Sequence, residues 1–265
     1  MNKYFYCSIF AFKSVQVYRL ESFLKVFGSI IMIIAMQQVW SAIYHYGDEA
    51  SLTKTASVTQ MFTYTTVSVL IAKIYIFPMS IEISQKVSNG DIIFELFRPW
   101  NFLLMHFFRT LGFMFHTFVF TIIPSIIFVS IFLPIYIPKT NQIFWFIISM
   151  FLAIVIAFLI ESFLGILAFQ FTEIWGFDLI KDTLINVISG SFVPLWLFPD
   201  FLQKIIFFLP FKAMFYIPLS IFIGTMEGEE LYFNILFQFV WIIILGISAS
   251  LFLALVQRKL ITFGG

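Results

Sequence analysis

Charge is scarce in this chain. Of its 265 residues only 11% are Asp, Glu, Lys or Arg, and the formal net charge is +1. A soluble domain carries roughly 25% charged residues, so a fully water-facing surface cannot be built from this stock. The near-neutral balance also lacks the basic footprint of a nucleic-acid partner. Cysteine is almost absent: Cys7 stands alone, which excludes an intrachain disulfide and a cysteine metal cluster. The three histidines, His45, His106 and His116, show no H-E-x-x-H or other close ligand spacing. No G-x-x-x-x-G-K-[ST] loop and no G-x-S-x-G elbow occurs, so neither nucleotide hydrolysis nor serine chemistry is expected. No catalytic residue and no metal site is assigned. The opening stretch lacks the continuous apolar core and small-residue cleavage site of a signal peptide, and is expected to be retained.

Apolar residues are what the chain has. They make up 61% of it, 39 of them Phe, and mean hydropathy is +1.01. That excess cannot be hidden in a globular core of this size, and it predicts an all-α polytopic membrane protein forming a single domain over 1–265. Segments of about 20 apolar residues fall near 24–44, 58–79, 107–133, 143–171, 180–199 and 234–257. Residues 1–23 predict an amphipathic interfacial helix, with Lys13, Arg19 and Lys25 at the headgroups and Phe5, Phe10, Phe12 and Val17 at the acyl boundary. Segment 201–224 is apolar but divided by Pro210 and Pro218. If it dips in and returns, six spans remain and both termini are cytoplasmic. Of the 15 basic residues only Lys54, Lys139, Lys204 and Lys212 then lie outside, and this positive-inside bias favours a re-entrant outer segment between the fifth and sixth spans.

One long polar interruption stands between the second and third spans: "SIEISQKVSNGDIIFELFRPW", residues 80–100. Ser80 is expected to cap a short helix with Glu82 in its first turn. Asn89-Gly90 should end that helix, and Asp91 should cap a second one carrying Ile92, Ile93, Leu96 and Phe97, stopped at Pro99. The segment predicts a compact bent element with Lys86, Glu95 and Arg98 on it. It either lies in the headgroups or docks in a groove on a cytoplasmic partner.

"NGDIIFELFRPW" resembles the cytoplasmic segment of ABC-2 type permeases, in the group with a G-x-I-x-x-x-L-x-R-P motif carried here by Gly90, Ile92, Leu96, Arg98 and Pro99. The resemblance continues through 188–224, "FQFVWIIILG" (237–246) and "QRKLITFGG" (257–265). Asp91 stands where such proteins often have Glu, and Phe94 and Phe97 are bulkier than usual. The resemblance implies the permease subunit of an ATP-binding-cassette exporter, with 80–100 as a coupling helix. It implies two separate ATPase subunits that bind ATP and Mg, with no cofactor on this chain. It also implies a dimer with a second copy or a sister permease, in the inner (cytoplasmic) membrane among its lipids. A Phe-rich cavity suggests an amphipathic substrate: a lipid, a drug or a peptide.

Glu161 is the unusual charge, well inside the fourth apolar segment. A carboxylate there is costly and faces the bundle interior, a partner or water. It reads as a substrate contact or conformational latch, or as a helix–helix hydrogen bond beside Ser162 and Gly165. Gln37, Gln38, Thr63 and Thr66 could line a central path or bond between helices. Glu173, Asp178, Lys181 and Asp182 read as a solvated connecting turn, or as partners of the ATPase or of 80–100. An ion-coupled secondary transporter and a noncatalytic membrane scaffold are the competing functions.

Overall fold

The computed structural model describes residues 3–17, 19–47, 55–171 and 173–263. Lys54 lies outside the described residues, as do the side chains of Arg19, Arg258 and Lys259. Among the described residues the structure is helical, with no strand. The helices are α1 (Lys3–Val15), α2 (Arg19–Tyr46), α3 (Val58–Ile74), α4 (Met79–Asn89), α5 (Ile92–Leu96), α6 (Phe102–Thr117), α7 (Ile123–Phe132), α8 (Thr140–Leu167), α9 (Trp175–Ile188), α10 (Asp200–Phe208), α11 (Tyr216–Ile223) and α12 (Gly228–Phe263). Five stretches are long and apolar enough to cross a bilayer: Leu20–Tyr46, Val58–Asn89, Phe102–Phe132, Thr140–Leu167 and Gly228–Gln257. A sixth is reached if the pair Asp200–Phe208 and Pro210–Ile223, bent by 80°, counts as one.

Proline sets the breaks. Pro78 ends the straight course of the second span, because a residue before proline avoids the α region; α3 stops at Ile74 and α4 restarts at Met79. Pro124 lacks the N–H that would continue the ladder, and the chain answers with one π turn, Phe118–Ile122, whose exit places the Ile123 N–H on the Phe118 carbonyl. Pro210 starts the bend after α10. Pro218, expected to be a second break, instead sits in the first turn of α11, where no intrahelical donor is needed.

The fifth span departs from expectation. Instead of a helix over 180–199, α9 covers Trp175–Ile188, 14 residues, or about 21 Å, short of the ~30 Å hydrocarbon core. It stops at Ser189 because Gly190 turns left-handed (φ 86°), and a Cβ there would meet Tyr216 Cβ at 3.1 Å and Tyr64 Oη at 3.2 Å. The chain continues as irregular backbone and a 3₁₀ turn at Leu195–Leu197. Unpaired backbone is unfavourable away from water, and side chains of α3, of Tyr75 just beyond it and of α12 satisfy it. Tyr64 Oη donates to the Gly190 carbonyl (2.6 Å), Ser68 Oγ to Ser191 (2.6 Å) and Tyr75 Oη to Met214 (2.7 Å). Gln238 Nε2 donates to both Ala213 (2.9 Å) and Ser149 (3.1 Å).

Two ends of the bundle can be named from contacts. The near end gathers the start of α1, the α4–α5 element, the start of α6 and the last turns of α12, since Glu95, Trp100, Asn101, Ser250 and Gln257 line one cavity there. The far end joins the start of α3 to the end of α11 through Gln60 Nε2 on the Ile223 carbonyl (2.8 Å), and α8 to α12 through Gln142 Nε2 on Glu227 (3.0 Å). Helix α1 forms inside the stretch expected for it and docks along α6. Ala11 is fully buried and Ser8 Oγ donates to the Phe108 carbonyl. A Cβ on Gly112 would strike the Ser8 carbonyl, so glycine permits the close approach.

Candidate functional site

The polar interruption folds as a bent element against the near end. Ser80 does not cap α4: Pro78 holds that position, and Ser80 lies inside the helix, fully enclosed. Its N–H donates to Glu161 Oε1 (3.2 Å) and its hydroxyl to Asp178 Oδ1 (3.4 Å). Ile83 packs on Gly165 of α8, its Cδ1 2.7 Å from where a glycine Cβ would stand. Helix α4 ends at Asn89, and Gly90 takes the left-handed cap (φ 79°) with its N–H on the Val87 carbonyl. Asp91 occupies the cap position of α5 but makes no side-chain cap hydrogen bond.

Ion pairs hold the bend. Lys86 of α4 pairs with Glu95 of α5, whose other oxygen meets His106 Nε2 of α6 at 3.2 Å. Arg109 of α6 pairs with Glu82 of α4 at 3.0 Å. Burial alone would raise the Glu95 carboxyl; the hydrogen bonds from His106 and Lys86 outweigh it and hold the group at about 2. The exit is pinned too: Lys3 Nζ donates to the Pro99 carbonyl (3.0 Å), the Asn101 N–H to Tyr4 Oη (3.2 Å), and Asn101 Oδ1 caps α6. With Ile92 buried and Leu96 half-buried, Ile93, Phe94 and Phe97 project, Phe97 at 85% exposure. The result is a rigid element with an apolar tip.

A second charged cluster sits behind it. Lys181 of α9 pairs with Glu161 of α8, with Asp178 (2.8 Å) and with Asp182 (3.1 Å). The reading of 178–182 as a merely solvated turn is therefore corrected. Lys181 is the counter-ion of the buried Glu161, and through Ser80 the pair ties α8 and α9 to the base of α4. These charges border a cavity of about 250 Å³ with Tyr75, Asn186 and Met214.

The expected path residues do not converge. Gln37 donates to Thr66 (3.2 Å) and Thr63 accepts from the Tyr136 N–H (2.7 Å), while Gln38 is exposed on the outside of α2. Glu161 belongs to the near-end cluster instead. Sequence reasoning offered the Asp178–Lys181 cluster as a partner of 80–100 but missed Lys181 as the counter-ion of Glu161, and missed His106 and Arg109 as partners of the bend. The available signal was chemical: acids at or inside apolar spans need cations, and His106 and Arg109 stand near the start of α6 and Lys181 midway along α9. Among the described residues no group of three or more His, Cys, Asp or Glu side chains could hold a metal.

The family model described as ABC-2 family transporter protein matches residues 30–262. The chain belongs to that family, as an ABC transporter permease with several membrane-spanning helices. Comparison with curated proteins found no match, and comparison with solved structures found none.

Proposed function

We propose that this member of the ABC-2 transporter family is the permease of an exporter driven by separate ATPase subunits, which grip residues 80–100. The observation that carries the reading is the stapled α4–α5 bend with Ile93, Phe94 and Phe97 exposed at its tip. Apolar side chains on a rigid projection fit a groove on a water-soluble partner. Displacement of the tip would travel through Glu82–Arg109 to α6, and through Ser80 to Glu161, Lys181 and α9. ATP binding can bias the spans only through contacts that differ between states, and this element supplies them. In this reading the near end faces the cytoplasm, both termini are cytoplasmic, and the protein sits in the inner membrane. It works there as a dimer with a second copy or a sister permease. The substrate of this proposal is amphipathic, although most phenylalanines face outward and, among the described residues, only Phe77, Phe102, Phe158 and Phe215 are buried.

The test is copurification. Tagged full-length protein should carry ATPase activity through purification, and Phe94→Asp with Phe97→Asp should lower it at least tenfold while the thermal melt stays unchanged. Full retention of ATPase by that variant would overturn docking through the tip.

A further inference from the structure

A cavity of about 400 Å³ opens between α1, the α4–α5 bend and the first two turns of α6. Its charged wall is Lys86, Glu95, Arg98 and Arg109. Glu95 is already engaged by Lys86 and His106. Arg109 meets Glu82 through Nη2, and its Nε is buried with no hydrogen-bond partner. Arg98 is exposed, has no carboxylate partner among the described residues, and stands 5.7 Å from the Trp100 ring centroid. Lys3 lies over the same ring at 5.6 Å. The site thus has a positive surplus. The rest of the wall is apolar or aromatic, and Tyr6 and Phe10 of α1 leave 57% and 69% of their surface open beside it.

We propose that this cavity binds the phosphate headgroup of an anionic phospholipid, with the acyl chains against Tyr6 and Phe10. Guanidinium groups match phosphate oxygens in geometry as well as charge, and the buried Arg109 Nε is a donor awaiting an acceptor. Basic pockets beside spans draw anionic headgroups, and tryptophan favours headgroup depth. The position agrees: α6 opens the candidate span Phe102–Phe132, so the cavity lies where that span leaves the bilayer. A water-soluble partner meets another surface, the tip formed by Ile93, Phe94 and Phe97. The lipid would bridge α1 to the junction between the bend and α6. Its effect on transport rests on the coupling reading above; its binding does not.

The experiment is native mass spectrometry of the full chain from micelles doped with phosphatidylglycerol or phosphatidylcholine, alongside thermal melts with inorganic phosphate. Selective retention of phosphatidylglycerol is expected, with Arg98→Gln lowering it about fivefold, the effect of one basic residue near a charged lipid surface. Lys139→Gln, which removes an exposed charge at the far end of the bundle, should leave retention unchanged. Equal retention of both lipids, or an equal loss from Lys139→Gln, overturns the site. Stabilisation by inorganic phosphate alone, without preference for the lipid, overturns the lipid as its source. Because the readout is bound lipid, failure here leaves ATPase copurification unaffected, and the converse holds.

Discussion

Two of the interruptions between the apolar spans, residues 75–101 and 189–227, are held by different forces. The first is stapled by charge: Lys86–Glu95–His106, Glu82–Arg109 and, beneath it, Glu161–Lys181. The second is held by neutral donors on backbone carbonyls, from Tyr64, Ser68, Tyr75 and Gln238. Its one buried charge, Lys212, is 2% exposed and lies between the rings of Phe207 (3.7 Å) and Phe237 (4.2 Å), with Asn234 as acceptor. The contrast follows dielectric. The near region encloses its charges in pairs, with the Glu161 and His106 side chains 5% and 1% exposed, whereas in the far region a neutral hydrogen bond satisfies a carbonyl without desolvating an ion. The near region is thus fastened by paired charges, and the far region by neutral hydrogen bonds.

Removing a cation from the near region should give the largest effect. Lys181→Met leaves Glu161 buried and unpaired, and loss of one partner of a buried pair costs about 3–5 kcal/mol. The melt of the purified protein should fall accordingly, and adding Glu161→Gln should recover most of the loss. A double variant no better than the single one would show that Lys181 acts through packing alone. In the far region, Gln238→Leu strands the Ala213 carbonyl and the Ser149 hydroxyl, worth about 2 kcal/mol. A drop as large as that of Lys181→Met would erase the distinction between the regions.

How much of this was legible in the sequence depends on whether side chain or backbone carried the signal. The spans could be read because about 20 consecutive apolar residues have few other uses, and Pro210 announced the bend. The fifth span was drawn too long because Val193, Leu195, Trp196 and Leu197 are as apolar as any helix residue; hydropathy records side chains and says nothing of the irregular backbone beneath them. The caps failed for a related reason. Ser80 and Asp91 have capping chemistry, but Ser80 lies inside a helix begun by Pro78 and its hydroxyl meets Asp178 instead. Of the candidate site, the motif itself was visible while its fastenings were not. Glu161 and Lys181 lie on different helices, as do Glu82 and Arg109, so helical spacing cannot pair them. The docking of α1 was within reach, since Ser8, Ala11 and Gly112 are the small residues that let helices approach closely.

The finest separation of the two regions is by pH. Glu95 is depressed from 4.5 to about 2 in the folded chain. A carboxyl with a lowered folded pKa contributes stability that is fully present above its unfolded value and lost as pH falls through the folded one. Glu95→Gln should therefore melt below the unaltered protein at neutral pH by about 1.5 kcal/mol, the worth of a hydrogen bond to a charged group. That gap should narrow as pH drops below 4.5 and close near 2. Gln238→Leu removes no titrating group, so its gap should stay flat over the same range. Melts of the three proteins across that interval decide it. A flat gap for Glu95→Gln would mean that the bend is held by shape and not by charge, and the near region would then be fastened as the far one is.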